Sequence, residues 1–271
     1  MLSVIIPAAN EAAEIGPCLI ALLASDPVPG GAEVVVVANG CTDDTADRAR
    51  GMRTRAEAAG WRLVVVDLAT GGKIGALNAG DAAAMGDARA YLDADVRVSP
   101  GLMAQIALAL DTPAPRYATG RPVIAHARSA VTRLYARFWA RLPFVVGPAP
   151  GFGFFCVNAE GRARWGAFPP VISDDTYVRL LFRPDERIEC SATYLWPMVE
   201  GLAALVRVRR RQDAGVAEIA GRYPALMRNG LLGRPALSRL FLADPLGFLV
   251  YAGVSLAVRV GGASAGWARG R

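Results

Sequence analysis

Histidine and lysine are nearly absent from this chain of 271 residues. The one histidine is His126 and the one lysine is Lys73, so the basic side chains are almost all arginine. A single histidine argues against Ser-His-Asp triads and against histidine-rich metal sites. The four cysteines are scattered without metal-binding or redox spacing, and we expect free thiols in a reducing compartment.

Familiar targeting and nucleotide-binding signals are also missing. The first residues lack a basic segment followed by a signal-length apolar run, so we expect no secretory signal. Gly72-Lys73 resembles the end of a P-loop, but Ile74 stands where serine or threonine is needed and Asp67 occupies the first glycine position. No Gly-x-Gly-x-x-Gly follows the first predicted strand. The two commonest nucleotide fingerprints are therefore excluded.

The charge of the chain is unevenly distributed. Apolar residues make up 53% of the sequence, enough for one large domain or one domain with an appendage. The formal net charge is +6, yet from residue 201 onward eleven arginines face three acids. Such a region favours an anionic neighbour, namely phosphates, a membrane surface or nucleic acid. Its densest part, residues 207–212, is either a solvated face or an anion clamp, since arginine binds phosphate oxygens bidentately.

Apolar segments alternate with helical patterns over the first 110 residues. We predict strands at residues 2–7, 33–38, 61–66 and 88–92, each followed by a helix, with a period of about 30 residues. This is the pattern of an α/β fold with a parallel, doubly wound sheet, which binds ligands beyond the carboxyl ends of its strands. Polar residues follow each predicted strand: Asn10-Glu11, Asn39, Asp67, and Asp93 with Asp95.

Asp93 and Asp95 are the most informative of these residues. In extended chain, residues two apart point to the same face, so the two carboxylates would aim at one point just after a buried strand. Oxygen ligands of this kind suit Mg²⁺ or Mn²⁺, usually shared with a substrate phosphate. The alternative is two acids capping the turn that precedes Pro100.

The second half carries three further features. Residues 128–146 show one apolar helical stripe with arginines off it, which favours a core-packing helix slightly over one lying on a membrane. A Gly/Pro loop at 147–153 either lets backbone approach a ligand closely or is a buried connection. Asp174-Asp175 opens a predicted helix, where adjacent acids ordinarily cap the helix.

The C-terminal region is strongly apolar. Its uninterrupted part, residues 245–258, is 14 residues long, short of the roughly 20 that a spanning helix needs. We therefore predict a membrane-inserted or interfacial helix or hairpin, with a buried core helix as the alternative. The surrounding arginines favour an anionic leaflet.

Six segments in this order resemble family 2 glycosyltransferases, which have the GT-A fold. They are Val4-Ile5-Ile6-Pro7-Ala8-Ala9-Asn10-Glu11, Asn39-Gly40-Cys41-Thr42-Asp43-Asp44-Thr45, Gly72-Lys73-x-x-Ala76-Leu77-Asn78, Leu92-Asp93-Ala94-Asp95, the 147–153 loop, and Ser173-Asp174-Asp175-Thr176. The resemblance covers about residues 1–215. It implies a Rossmann-like, mostly parallel sheet flanked by helices, to which the sequence adds a C-terminal amphipathic or apolar helical tail.

The resemblance also implies roles for individual residues. The donor nucleotide sugar, UDP- or GDP-linked, would contact Pro7, Asn10, Glu11, Asn39, Lys73 and Asp93. Asp95 would ligate Mg²⁺ or Mn²⁺ directly, helped by Asp93, and Asp175 would be the general base. Acceptor or diphosphate contacts would come from Gly151, Asp174, Arg209 and Arg210. Many relatives have Asp at the position of Asn39, and Asp174 stands where Glu is usual.

The sequence thus predicts an inverting, metal-dependent transferase that moves a sugar to a hydroxyl of a lipid, lipid-linked or saccharide acceptor. We expect it in the cytoplasm, peripherally or monotopically bound to the inner face of the cell membrane. The predicted domains are 1–215, with a nucleotide-sugar half (1–110) and an acceptor half (111–215), and a membrane-associating tail (216–271). A nucleotidyltransferase on a similar sheet and a non-catalytic nucleotide-sugar-binding protein are the alternatives. Nucleic-acid binding is disfavoured because no aromatic stacking platform accompanies the arginines.

Overall fold

A computed structural model describes residues 1–147, 149–230 and 237–260. The chain forms two compact units. The first comprises Met1–Val123, Gly151–Pro170 and Asp174–Trp196, and the second comprises Ile124–Pro150, Val171–Ser173 and Pro197–Arg271. The predicted boundary at residue 215 falls inside a continuous helix, Leu202–Arg222.

The first unit is built on an eight-stranded sheet with the order β3-β2-β1-β4-β7-β6-β8-β5. Strands β1 to β4 pair in parallel, whereas β7 pairs antiparallel with β4 and β6, and β5 pairs antiparallel with β8. The strands are β1 (Leu2–Ala8), β2 (Ala32–Asn39), β3 (Arg62–Leu68), β4 (Ala88–Leu92), β5 (Arg97–Val98), β6 (Tyr117–Ile124), β7 (Phe154–Val157) and β8 (Arg187–Trp196). The α/β fold predicted from the sequence is confirmed.

Helices flank this sheet because its central strands are apolar on both faces. Every residue of β2 is buried, as a continuous β-branched run requires of a strand covered on two sides. The helices of this unit are α1 (Ala12–Leu23), α2 (Thr45–Arg50), α3 (Arg53–Ala58), α4 (Lys73–Ala83), α5 (Leu102–Leu110), α8 (Ala159–Arg162) and α9 (Asp174–Leu180), with a 3₁₀ turn at Pro184–Glu186.

The second unit is helical. It contains α6 (Ala130–Trp139), α7 (Pro143–Val146), α10 (Leu202–Arg222), a 3₁₀ segment (Pro224–Gly230), α11 (Leu237–Ala243) and α12 (Pro245–Val260). No helix in the described part of the chain is both long enough and apolar enough to cross a bilayer.

The apolar stripe of α6 packs against α12. The Phe138 ring lies 5.6 Å from that of Phe248 and 5.0 Å from that of Tyr251, and Tyr135 stacks on Tyr251 at 5.5 Å. The α6 stripe is therefore core, as favoured from the sequence, and one face of α12 is occupied by this contact.

Asp244 joins the same two helices by charge. It lies immediately before α12, is 3% exposed, and pairs with Arg137 and Arg141 of the α6 region. Its Oδ1 also accepts a hydrogen bond from the Gly247 backbone at 3.0 Å. The hydrogen bonds from Arg137 outweigh desolvation and hold the pKa of Asp244 below its usual range. Two of the arginines that lie off the apolar stripe, Arg137 and Arg141, are thus paired inside the unit.

A buried carboxylate closes the amino-terminal edge of the sheet. Glu33 of β2 is fully buried and accepts hydrogen bonds from Ser3 Oγ at 2.7 Å, from the backbone of Met85 and Gly86, and from Arg62. Burial alone would raise the pKa of Glu33, but the hydrogen bonds, led by that of Ser3, outweigh it and hold the pKa below its usual range. Four segments of the first unit are joined through one side chain.

We predict that Glu33→Gln lowers the free energy of unfolding at neutral pH by about 1–3 kcal/mol, because a charged acceptor of several hydrogen bonds is lost. A carboxylate whose pKa is lowered by folding stabilises the folded protein at pH values above its unfolded-state pKa of about 4.3. This stabilisation is lost as the pH falls through the folded-state pKa. The gap between variant and wild type should therefore close in acid, as measured by denaturant titrations across pH. Exposed Glu57→Gln is the control, and an equal loss there would contradict the assignment.

Candidate active site

A small recess lies beyond the carboxyl ends of the parallel strands. It is lined by Pro7, Lys73, Leu77, Tyr91, Leu92, Asp93, Gly153, Phe155, Asp174 and Asp175. Five of these were predicted from the sequence as site residues: Pro7, Lys73, Asp93, Asp174 and Asp175. The acids come from chain segments about eighty residues apart, so only the fold brings them together.

Lys73 is the basic residue in the lining of the recess. Its Nζ lies 3.0 Å from Asp93 Oδ1 and 3.2 Å from Asp174 Oδ1. Lys73 is the first residue of α4, Asp93 directly follows β4, and Asp174 opens α9. The only lysine of the chain therefore joins the two predicted halves of the site.

These contacts set the charge of the recess. Burial alone would lower the pKa of Lys73, but the carboxylates of Asp174 and Asp93 outweigh it and raise that pKa above its usual range. Burial raises the pKa of Asp174 to about 6, and the Lys73 ammonium opposes this shift. At neutral pH the recess holds a charged ammonium facing carboxylates, a setting suited to a polyanionic ligand with a counter-cation.

The Asp93–Asp95 stretch is a turn and not extended chain. The Val96 amide donates to the Asp93 carbonyl at 3.1 Å, and the Asp93 amide donates to the Gly153 carbonyl at 2.9 Å. The premise that residues 93–95 form extended chain was therefore wrong. Asp93 lines the recess, whereas Asp95 does not line it and is partly buried in the turn. The alternative prediction, a turn at these residues, describes the backbone better.

Asn39 ties two loops at the same edge of the sheet. Its Nδ2 donates to the Ala8 carbonyl at 2.9 Å, and its Oδ1 accepts from the Gly72 amide at 2.9 Å. Gly40 then lies against Gly71 so closely that a Cβ would meet the Gly71 Cα at 2.7 Å. Asn39 thus holds the loop that delivers Lys73.

Asn10 and Glu11 follow β1 and are bound to the loop after β2. Asn10 adopts a left-handed backbone (φ 56°), and its Oδ1 accepts from the Thr42 amide at 2.7 Å. The Glu11 amide donates to Thr45 Oγ1 at 2.8 Å, and Asp43 in turn accepts from Thr45. The structure brings these predicted donor-binding loops together beside β1 and β2, outside the lining of the recess.

An aromatic layer that sequence reasoning missed underlies the recess. Tyr91 stacks on Phe155 at 4.9 Å, and Phe155 on Tyr117 at 6.0 Å. The Tyr91 hydroxyl donates to Asp81 at 2.8 Å, and Arg162 pairs with the same carboxylate at 2.9 Å. Tyr91 lies two residues before Asp93, and the alternation of side chains along a strand could have predicted that Tyr91 faces the site. Phe155 reaches the site through the pairing of β4 with β7, which no pattern in the sequence predicted.

Two glycines at the end of the Gly/Pro loop, Gly151 and Gly153, lie against aromatic side chains of the first unit. Gly151 and Gly153 both have left-handed backbones (φ 69° and 72°). A Cβ on Gly151 would overlap the Tyr117 hydroxyl, and one on Gly153 would meet Trp196 Cδ1 at 2.6 Å. Glycine is needed here for both backbone conformation and space. Gly153 lines the recess and Gly151 does not.

Arg209 and Arg210 lie on α10 of the second unit. Arg209 pairs with Asp213 at 2.8 Å and donates to the Tyr251 hydroxyl at 2.9 Å. Arg210 donates to the Ala257 carbonyl at 3.3 Å. Both predicted acceptor or diphosphate arginines contact α12.

The acids of the recess fit a cation that shares its coordination with a ligand. Within the described ranges, no group of three or more His, Cys, Asp or Glu side chains is arranged to hold a metal by itself. Mg²⁺ and Mn²⁺ bind through one or two carboxylates and complete their shells with phosphate oxygens and water. Asp93 supplies an oxygen ligand of that kind 3.0 Å from the Lys73 ammonium, whereas Asp95 lies two residues further along the same turn, outside the lining of the recess.

The sequence matches one protein-family model. The model described as glycosyl transferase family 2 matches residues 3–152, more than half of the chain. The chain belongs to glycosyltransferase family 2. The match includes four of the six segments that carried the sequence resemblance, those within residues 4–95, and all but the last residue of the 147–153 loop. It ends before the sixth segment, Ser173-Asp174-Asp175-Thr176. No curated protein matches the sequence.

Solved structures show that this family 2 member has the GT-A fold. The mannosyltransferase PcManGT from Pyrobaculum calidifontis, in complex with GDP-Man and Mn²⁺, is similar with a TM-score of 0.58 and 24% identity, over 97% of this chain and 76% of PcManGT. Residues 1–349 of S. aureus TarS, in complex with UDP-GlcNAc, are similar with a TM-score of 0.58 and 14% identity, over 96% of this chain and 92% of that one.

The fraction of the other chain that aligns with this protein differs among the similar structures. Against the longer S. aureus TarS chain, the TM-score is 0.55 at 16% identity, over 76% of this chain and 38% of TarS. Glucosyl-3-phosphoglycerate synthase from Mycobacterium tuberculosis, in complex with phosphoglyceric acid, is similar with a TM-score of 0.51 at 22% identity, over 82% and 79% of the two chains. Family and fold together support a glycosyl transfer function.

We predict that Gly151→Ala destabilises the protein by about 1–2 kcal/mol from its left-handed backbone alone, with a further cost from the overlap with Tyr117. Adding Tyr117→Phe should recover the overlap part, because the Tyr117 hydroxyl has no hydrogen-bond partner in the described part of the chain. Thermal unfolding of both variants measures this. The control Gly166→Ala has nothing within 4 Å of its Cβ, and an equal loss there would refute the argument.

Proposed function

We propose that this protein is an inverting glycosyltransferase that moves a sugar from a UDP- or GDP-linked donor to an acceptor hydroxyl. The observation that carries the proposal is the recess in which Asp93, Lys73, Asp174 and Asp175 meet at the carboxyl ends of the parallel strands. In this proposal, Lys73 and a cation held by the acids would neutralise the leaving diphosphate, and a separate carboxylate would serve the acceptor.

Asp175 is the proton acceptor in this proposal. Its carboxylate lines the recess, and its Oδ1 accepts from the Thr176 amide at 2.6 Å, which orients it at the start of α9. A positioned carboxylate that removes the acceptor proton as the oxygen attacks makes the acceptor a better nucleophile. Attack from the face opposite the leaving diphosphate inverts the anomeric centre.

The leaving diphosphate needs its charge neutralised. Lys73 supplies one positive charge, and Asp93 with Asp95 would hold Mg²⁺ or Mn²⁺, which neutralises and orients phosphate oxygens when bound. PcManGT, a similar structure, is described with GDP-Man and Mn²⁺. Pro7, Asn10, Glu11 and Asn39 are the proposed contacts for the nucleoside, because their loops adjoin the same edge of the sheet.

Two other enzyme or binding roles are less well supported. A nucleotidyltransferase would need a Gly-rich, basic loop after β1, and Asn10-Glu11 follows instead. A non-catalytic binding protein would not need a carboxylate such as Asp175 beside a donor site. Gly151, Asp174, Arg209 and Arg210 remain our proposed acceptor or diphosphate contacts, although Arg209 and Arg210 also bind α12.

We predict that Asp175→Asn lowers kcat by at least about a hundredfold, since general-base catalysis contributes roughly 10²–10⁴. Donor affinity, measured by calorimetry, should stay near that of wild type because the base does not hold the nucleotide. The matched control is exposed Asp185→Asn, outside the recess. Loss of donor binding in Asp175→Asn would instead indicate a structural cap.

A thermal-shift screen of UDP- and GDP-sugars, with Mn²⁺ and with EDTA, identifies the donor. A ligand of the native state raises stability in proportion to ln(1 + [L]/Kd), so the correct donor gives the largest shift. Asp95→Ala should remove the Mn²⁺-dependent part of that shift. An unchanged shift in EDTA would exclude the metal from donor binding.

We further propose that the reaction takes place at the inner face of the cell membrane, on a lipid or lipid-linked acceptor. The support is an exposed apolar face on α11 and α12, formed by Leu242, Leu246, Leu249, Leu256 and Val260. These residues are 60–78% exposed. Within α12, the spacing of three and four residues from Leu246 to Val260, with exposed Gly253 in the series, puts the side chains on one side of the helix. We call them the tail face.

The tail face fits a bilayer surface better than a second copy of the chain. Phe248 and Tyr251 occupy the opposite side of α12 by packing on α6, so the helix would lie in the membrane plane. Residues 219–271 carry seven arginines and one acid, Asp244, which is buried and paired. Two such copies would repel each other, whereas anionic headgroups complement this charge.

We predict that Leu246→Ser combined with Leu249→Ser reduces binding to vesicles containing anionic lipid at least tenfold, since burying one leucine contributes roughly 1.5–3 kcal/mol. Vesicle flotation measures the bound fraction. Met85→Ser with Leu108→Ser is the matched control, because these side chains are 66% and 64% exposed in the first unit. Unchanged flotation with a loss of dimer in light scattering would favour a second copy as the partner.

A further inference from the structure

The backbone directly before the two acids is held by α10. A Cβ on Gly215 would overlap Ser173 Oγ and lie 3.2 Å from Ile172 Cγ2, so the helix touches this segment at its glycine. Three residues further along α10, Glu218 Oε2 accepts a hydrogen bond from the Ile172 amide at 2.8 Å. Residues three apart share one face of a helix, so Gly215 and Glu218 form a single clamp on Val171–Ser173.

The surroundings of the glycines in α10 show that this contact is specific. Glycine in a helix interior costs roughly 0.5–1 kcal/mol relative to alanine, so it needs a reason. Gly215 is buried and has no room for a methyl group. Gly221, on the same helix, has nothing within 4 Å of its Cβ position. Close approach to Ser173 explains the first glycine and leaves the second as a natural control.

The clamped segment leads straight into the proposed base. Ser173 is bonded to Asp174, which begins α9, and Asp175 is the next residue. The Asp175 carboxylate accepts from the amide of its own neighbour Thr176. Its direction therefore depends on the backbone at the start of α9. Lys73 holds Asp174 by charge, while the clamp holds the chain just before it.

We propose that Gly215 and Glu218 are positioning residues for Asp175. This inference rests on the proposed function, in which Asp175 accepts the proton of the acceptor hydroxyl. The clamp fixes the path of Val171–Ser173, and this sets where the first turn of α9 starts and where the carboxylate points. A shift of about 1 Å at a reacting group can lower the rate by as much as about a hundredfold, so the effect falls on kcat.

The test compares matched pairs in the full-length protein. Gly215→Ala is set against Gly221→Ala on the same helix. Glu218→Ala is set against Glu218→Gln, whose side-chain oxygen can still accept from the Ile172 amide. Arg222→Gln removes the 2.8 Å ion pair that Glu218 makes along α10 without touching Ile172. Each variant is measured for kcat, for KM of the donor and for thermal midpoint.

We expect Gly215→Ala and Glu218→Ala to lower kcat roughly 10- to 100-fold with donor KM unchanged. Gly221→Ala, Arg222→Gln and Glu218→Gln should stay within about twofold of wild type, as is usual for surface changes that leave the key contact in place. The double variant Gly215→Ala with Ser173→Gly should recover activity, because removing the Ser173 side chain makes room for the methyl group.

Three results would overturn the inference. They are a normal kcat in both Gly215→Ala and Glu218→Ala, a parallel loss of donor binding and kcat, or a Glu218→Gln variant as slow as Glu218→Ala. The glutamate pair keeps the test decisive if Gly215→Ala fails to fold. Failure of the proposed function is separate, since Asp175→Asn would then retain activity whatever the clamp variants do.

Discussion

The ion pairs of Lys73 are the interaction on which the rest of the site depends. One ammonium forms ion pairs with both Asp93 and Asp174. Asp174 is 5% exposed, and a buried carboxylate without a partner is strongly destabilising. The start of α4, the end of β4 and the start of α9 are therefore held at one point. A site made from segments so distant in sequence needs such a common partner.

The two units differ in the side chains that form their main contacts. The first collects carboxylates and a lysine at the strand ends, where parallel strands direct their loops to one edge. The second uses arginines and aromatic rings to pack α12, as in the Arg209–Tyr251 hydrogen bond and the Phe138–Phe248 contact. One helix thus presents a packed face and an exposed apolar face. The apolar residues of the packed face are accounted for by contacts within the unit. Only the exposed apolar residues of α12 therefore bear on the proposal of membrane binding.

Local patterns were predictable where one physical signal dominated. Strands β1 to β4 followed from continuous apolar runs, and their order predicted the sheet edge that carries Asp93 and Lys73. The aromatic layer was missed because Phe155 reaches Tyr91 through the antiparallel pairing of β4 with β7, and strand pairing leaves no mark in either segment alone. The turn at Asp93 was misjudged because its Val96 hydrogen bond competes with extended chain, a balance that periodicity does not report.

The sequence by itself determined the α/β class, the family, and the residue types of the site, because these depend on apolar periodicity and on motifs within single segments. Tertiary structure decided which carboxylates meet. Asp93 and Asp174 became partners through Lys73, while Asp95 went into a turn. It also decided that the α6 stripe is core and that Asn39 holds the Gly72 loop. The physical reason is the same throughout, since charge pairing and ring packing act between side chains that the chain brings together only after it has folded.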